Sequence, residues 1–139
     1  LKGVIIRVED LQPNILKHAQ RFGLTSEQLQ KDIEQKLQRS GITVLSWDEW
    51  QKTPGRPILY LNINTHEYEK YWYAFDVKVD LRQIASLEAN PRIKSMVSTW
   101  SINMTGIANI GTINTIKDNA EKLVNLFINA YLSVNKNRK

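Results

Sequence analysis

The feature that most limits what this chain can fold into is a strict alternation between positions 71 and 104. Tyr71, Tyr73, Phe75, Val77, Val79 and Leu81 take every second position. The pattern breaks at Glu88-Ala89-Asn90-Pro91 and resumes as Met96, Ser98, Trp100, Ile102 and Met104. Period two on both sides of an Asn-Pro turn signal predicts two long antiparallel strands joined by a connection. The interleaved positions, among them Asp76, Lys78, Asp80, Arg82, Thr99, Ser101 and Asn103, are mostly polar. Such a hairpin has one apolar face that needs a cover and one that can stand in water.

The remaining segments read as that cover. Residues 3–9, with Val4, Ile6 and Val8 on one side, predict a first strand. In 10–23, punctuated by Pro13, Asn14 and Gly23, the residues Ile15, Leu16, Ala19 and Phe22 suggest a short helical turn. A helix starts at Thr25, where Thr25 and Gln28 have capping-box spacing and Leu24 and Leu29 that of a hydrophobic staple. Leu29, Ile33 and Leu37 form its narrow apolar stripe, and Ser40-Gly41 ends it. Residues 42–45 predict a second strand, parallel to the first through a right-handed crossover. Ser46 and Glu49 make another capping box over a helical turn at 47–52, which Pro54-Gly55-Arg56-Pro57 stops. A third strand at 58–65 leads through a polar turn at 65–70 into the hairpin. A final helix at 114–135 carries Ile116, Ala120, Leu123, Val124, Phe127, Ile128, Tyr131 and Leu132 at spacings of three and four.

A one-faced sheet and amphipathic helices solve their burial problem together. The expectation is one α+β domain over 1–139, with a basic tail from about residue 134. It is a two-layer sandwich: a mixed, mostly antiparallel sheet of four to five strands with two helices on one face, in the order β-α-β-β-β-β-α.

Composition narrows the chemistry. The chain has no cysteine, which excludes thiol catalysis, thiolate metal sites and disulfides. Its 19 Lys+Arg exceed 14 Asp+Glu for a net charge of +5, but the charge is dispersed. Only Lys136-Asn137-Arg138-Lys139 clusters, and it reads as a solvated tail. No apolar run approaches the roughly 18 residues of a membrane span. The chain opens at Leu1 without an initiator Met, so a preceding signal peptide or lipid anchor stays open.

Residues able to carry catalysis are sparse. His66, Glu67 and Glu69 crowd one segment and have the donor types of a metal site, yet no second histidine lies near in sequence; a solvated turn is the simpler reading, with no metal and no cofactor. His18 has no evident acid partner. No serine sits in a Gly-x-Ser-x-Gly turn, and the scattered glycines build no phosphate loop. These residues point to a non-enzyme. The aromatic and basic residues Trp47, Trp50, Arg56, Trp72, Lys78 and Arg82 stand out instead as a candidate interaction surface for a protein partner or a second copy. An alternative is RNA or other nucleic acid bound on the polar sheet face through Tyr60, Trp72, Lys78 and Arg82. The element order is wrong for the four-stranded RNA-recognition modules, and their glycine-aromatic signature is missing.

Several segments also carry a resemblance: Val8-Glu9-Asp10, the helix end from Leu37 to Ile42, Pro-Gly-Arg-Pro-Ile-Leu-Tyr-Leu from Pro54, and Thr99-Trp100-Ser101. Together they resemble a group of small uncharacterised bacterial proteins, often predicted to be exported, over essentially the whole chain. The element order is similar to the lipopolysaccharide-assembly lipoprotein and to the amino-terminal α/β domain of the Tol–Pal system. That likeness is topological and implies a non-catalytic assembly role in the periplasm or envelope. It supplies no catalytic residues, and the lipoprotein's anchoring cysteine has no counterpart here.

Overall fold

The computed structural model describes residues 1–135 of the 139. The elements run β1 (Ile5–Val8), α1 (Pro13–Arg21), α2 (Ser26–Arg39), α3 (Trp47–Lys52), β2 (Ile58–Glu69), β3 (Trp72–Ser86), β4 (Lys94–Asn109), a 3₁₀ turn (Ile110–Thr112) and α4 (Asn114–Asn135). The strands form one sheet in the order β1-β2-β3-β4, with β1 parallel to β2 and the other pairs antiparallel. α1 packs on β2, α2 on β1, and α4 on β3 and β4. The α+β sandwich holds, with more helix than the sequence suggested.

The alternation does what its period requires. Leu59, Leu61, Ile63, Tyr73, Phe75, Val77, Val79 and Leu81 are all buried, with cross-strand partners such as Leu61 and Val79 on the same face. Ile116, Ala120, Leu123, Val124, Phe127, Ile128 and Tyr131 bring the α4 stripe down on them, and Phe127 meets Trp100 edge to face at 5.5 Å. Each large apolar side chain so buried contributes about 1.5–3 kcal/mol before ordering entropy is subtracted. Gly106 lies in β4 because any β-carbon there would come 2.6 Å from Phe75 Cζ.

Several expectations need correction. The order is β-α-α-α-β-β-β-α, because 10–23 contains a nine-residue helix and 42–45 contains no strand. The helical turn expected around Ile15, Leu16 and Ala19 extends to nine residues, with Pro13 at its start, where the fixed φ and missing N–H suit the first helical turn. The segment 42–45 meets the sheet only through a parallel bridge between Val44 and Val4. Its direction is as expected; its pairing is one residue long. At α2, Thr25 accepts from the Gln28 N–H at 3.1 Å, but the Gln28 amide donates to Asp32 at 2.8 Å rather than reaching back. Only half of that capping box forms, whereas the Ser46–Glu49 box at α3 is complete. β2 continues past residue 65 to Glu69 with an irregularity between Glu67 and Glu69. Tyr71 leaves the strand pattern, taking φ 72° in the turn between β2 and β3.

A bulge in β4 overturns one further detail. Trp100 pairs with Leu81 but Ser98 pairs with the next residue, Arg82, so Thr99 is the extra residue. Met96 and Ser98 therefore fall out of phase with Trp100, Ile102 and Met104. The basic cluster Lys136 to Lys139 lies outside the described residues, while residues 134 and 135 still belong to α4. No helix among the described residues is long and apolar enough to cross a membrane.

Candidate interaction surface

The face of the sheet away from the core is built by the even-numbered positions of β2 and β3 and their partners. At its centre lies Asp80, only 1% exposed although it belongs to the polar face. Ser101 Oγ donates to Asp80 Oδ1 at 2.5 Å, while Arg82 Nη2 at 3.4 Å and Lys78 Nζ at 3.7 Å share Oδ2. Strand geometry explains the grouping, since residues two apart point the same way and stack along one face. Asp80 is thus buried within the polar face, and both of its ion pairs are to neighbours on its own strand.

Next to this group the Arg82 guanidinium lies 4.0 Å from the Tyr60 ring centroid, and the Tyr60 hydroxyl donates to Glu9 Oε1. Desolvation raises the Tyr60 phenol above its ordinary value of 10.0, and the hydrogen bond to the Glu9 carboxylate adds to the rise. Arg7 meets Glu9 at 3.9 Å, and Asn103 donates to Asp76 at 2.9 Å. The result is a polar, hydrogen-bonded plate running from the end of β1 to β4.

The six candidate residues separate into three places. Trp47 and Trp50 stack at 4.8 Å on α3, and Arg56, held at φ 43° in the following turn, lies 5.9 Å from the Trp50 ring. Trp47 is 62% exposed; Trp50 is half-buried, and its Nε1 is enclosed without a hydrogen-bond partner. The complete Ser46 box holds α3 in place, and the Ser46 backbone N–H lowers the Glu49 carboxyl below its ordinary value. Lys78 and Arg82 form the second place, around Asp80. Trp72, 40% exposed, starts β3 opposite Glu69 and Asn109, about 20 Å along the strand from Lys78. Sequence reasoning placed Tyr60 and Asp80 on this face but missed the burial of Asp80 and the part taken by Glu9. The spacing Asp76-x-Lys78-x-Asp80-x-Arg82 was the available signal for the grouping around Asp80.

A cleft of about 640 Å³ opens between the turn after α3 and the start of β4. Lys52, Arg56 and Lys94 line it with Gly55, Ile84 and Met96; none of its lining residues is acidic, and none of these three cations has a carboxylate partner among the described residues. The Ile84 N–H donates to Gly55 O at 2.7 Å and fixes the turn against β3.

Elsewhere the candidate chemistry is dispersed. His66 and Glu67 are consecutive in β2, so they point to opposite faces, and among the described residues no three His, Cys, Asp or Glu side chains group as metal ligands. His18 meets Tyr71 edge to face at 6.0 Å, with Nδ1 buried and unpartnered. Compared with known proteins, the chain matches no family model and none of the curated proteins.

Proposed function

We propose that this chain is a non-catalytic interaction or assembly module of the bacterial cell envelope. The observation that carries this reading is the sheet itself: helices cover one face, while the other face and the β4 edge present long ordered surfaces. The plate around Asp80 is pre-organised, because Ser101, Lys78, Arg82, Tyr60 and Glu9 already hold one another. A partner binding there meets side chains with little rotamer freedom left to lose. The envelope location rests on the resemblance seen in the sequence. Photo-crosslinking in cells tests the reading, with the reactive residue at Lys78, at Trp47, or at Gln35 on the exposed side of α2 as control. A discrete adduct in the envelope fraction from Lys78 or Trp47, absent from Gln35, is expected. The same diffuse pattern from all three positions contradicts it.

Nucleic-acid binding remains a second reading because of one observation, the acid-free cleft of Lys52, Arg56 and Lys94 beside the Trp47–Trp50 stack. The sheet face gives it less support: Arg82 already covers the Tyr60 ring, and Asp80 offsets the charge of Lys78 and Arg82. Binding of single-stranded RNA should then fall steeply from low to moderate salt and weaken in Arg56→Ala. No binding by micromolar protein at low salt removes this reading.

A further inference from the structure

β4 spans Lys94–Asn109, and among the described residues β3 is its only strand neighbour. No other backbone group among the described residues takes up its outward N–H and C=O groups along 94–108, and at the strand's end the Asn109 N–H donates to Thr112 Oγ1 at 2.9 Å. Natural sheets guard such an edge with Lys, Pro, inward charges or a short strand. This one uses a single bulge, at Thr99. Between Lys94 and Lys117 the sequence contains neither a charged residue nor a proline, in a chain that is 24% charged. The long edge is therefore left as a pairing template.

The side chains flanking the edge indicate what pairs with it. On the helix-covered face, Trp100, Ile102 and Met104 are only partly buried against the core, because α4 covers β3 more fully than β4. Leu126 on α4 is 45% exposed, and Ile107 on the opposite face of β4 is 62% exposed. A lone extended peptide added to β4 satisfies the backbone but brings no helix over Trp100, Ile102 and Met104. A second copy of this chain, its β4 antiparallel to the first across a two-fold axis, brings its own α4 to the same face. Each protomer's half-covered row then has a neighbouring helix, and a self-complementary interface of this kind closes at two subunits. A specific dimer needs an interface above about 1,000 Å² in total, and residues 100–109 after the bulge together with the flanking α4 of each protomer are the surface available to supply it. The absence of charge from 95 to 109 matters here: two chains of net +5 pair through that segment without directly apposed like charges.

We infer that this chain forms a dimer by antiparallel β4–β4 pairing, which joins two four-stranded sheets into one of eight. This rests on the assembly reading above and names its first partner as the chain itself. The test is light scattering after size exclusion over a concentration series. Wild-type protein is compared with Thr105→Lys, which faces Asp76 across the strands, and with Ile107→Lys, while Glu27→Lys on α2 controls for added charge. The expected mass moves from 16.1 kDa toward twice that value with rising concentration. In both β4 variants the apparent dissociation constant rises at least a hundredfold with circular dichroism and thermal midpoint unchanged, and Glu27→Lys behaves as wild type. A mass of 16.1 kDa at every concentration up to about the millimolar range, or a dimer that both β4 variants leave intact, overturns the inference. A monomer that still gives the crosslinked envelope adduct separates failure of the pairing from failure of the assembly reading.

Discussion

At one edge of the sheet β1 contributes four residues, Val4 just before it is bridged to Val44, and α2 packs against it. At the other edge β4 contributes sixteen, and among the described residues no strand lies on its outer side. The first edge is closed by local means. Val4 N–H donates to Thr43 O at 3.1 Å, Leu45 N–H returns to Val4 O at 2.8 Å, and Tyr60 ties Glu9 at the end of β1 to β2. The second edge has the pattern of a well-made strand, and beyond Lys94 and the Thr99 bulge it has none of the usual guards. Edges are managed either by making pairing impossible or by supplying the pair, and this molecule does one at each side.

The largest effect is expected at the helix over the open side. Phe127→Ala removes the ring that packs on Trp100 and should lower unfolding free energy by about 3–5 kcal/mol in urea titration. A loss below about 1 kcal/mol would mean that α4 is not what holds β4's inner row. Next comes Gly3, which sits at φ 155° where a β-carbon would meet Thr43 O at 2.5 Å. Gly3→Ala should cost about 1–3 kcal/mol by opening the β1–Val44 closure, with faster amide exchange at Val4 and Leu45. Unchanged exchange there would show that the first edge is closed by something else.

Asp80→Asn keeps the shape of the central plate but removes the charge shared by Lys78 and Arg82. Both cations are partly exposed, so the loss is expected at about 1–2 kcal/mol, below that of a fully buried pair. Ile107→Lys should change monomer stability by less than about 0.5 kcal/mol while abolishing association, the outcome that most sharply separates edge chemistry from folding. The smallest effect is a titration at the closed edge. The folded-state pKa of Tyr60 is raised, so its contribution is complete below the ordinary phenol value and is lost as pH rises through the folded value. Tyr60→Phe should flatten the alkaline stability curve above pH 10.0, and an unchanged curve argues against the Tyr60–Glu9 tie.

How much of this was legible in the sequence follows from the physics of each signal. Period two fixed the buried rows of β2 and β3, and spacing of three and four located α4 from Asn114 to Asn135, because burial of one face leaves a regular trace. The extent of α1 was obscured because Pro13 serves equally as a break and as a first helical residue. The Thr99 bulge left no trace: one inserted residue changes phase without changing composition. Asp80 was visible as one of a row of charges, but its burial depends on Ser101, which comes from another strand. The grouping of Trp47, Trp50 and Arg56 was within reach, since a capped turn and a Pro-Gly turn keep them close in sequence. The separation of Trp72 from Lys78 and Arg82 needed the strand length.

The most direct test of the paired edge is amide hydrogen exchange along β4 at two protein concentrations, one below and one above the association midpoint. The alternate N–H groups of 100–108 that do not bond β3 should exchange freely in dilute protein and become protected in concentrated protein, while β1 amides stay the same. Equal exchange of those groups at both concentrations would contradict pairing through β4.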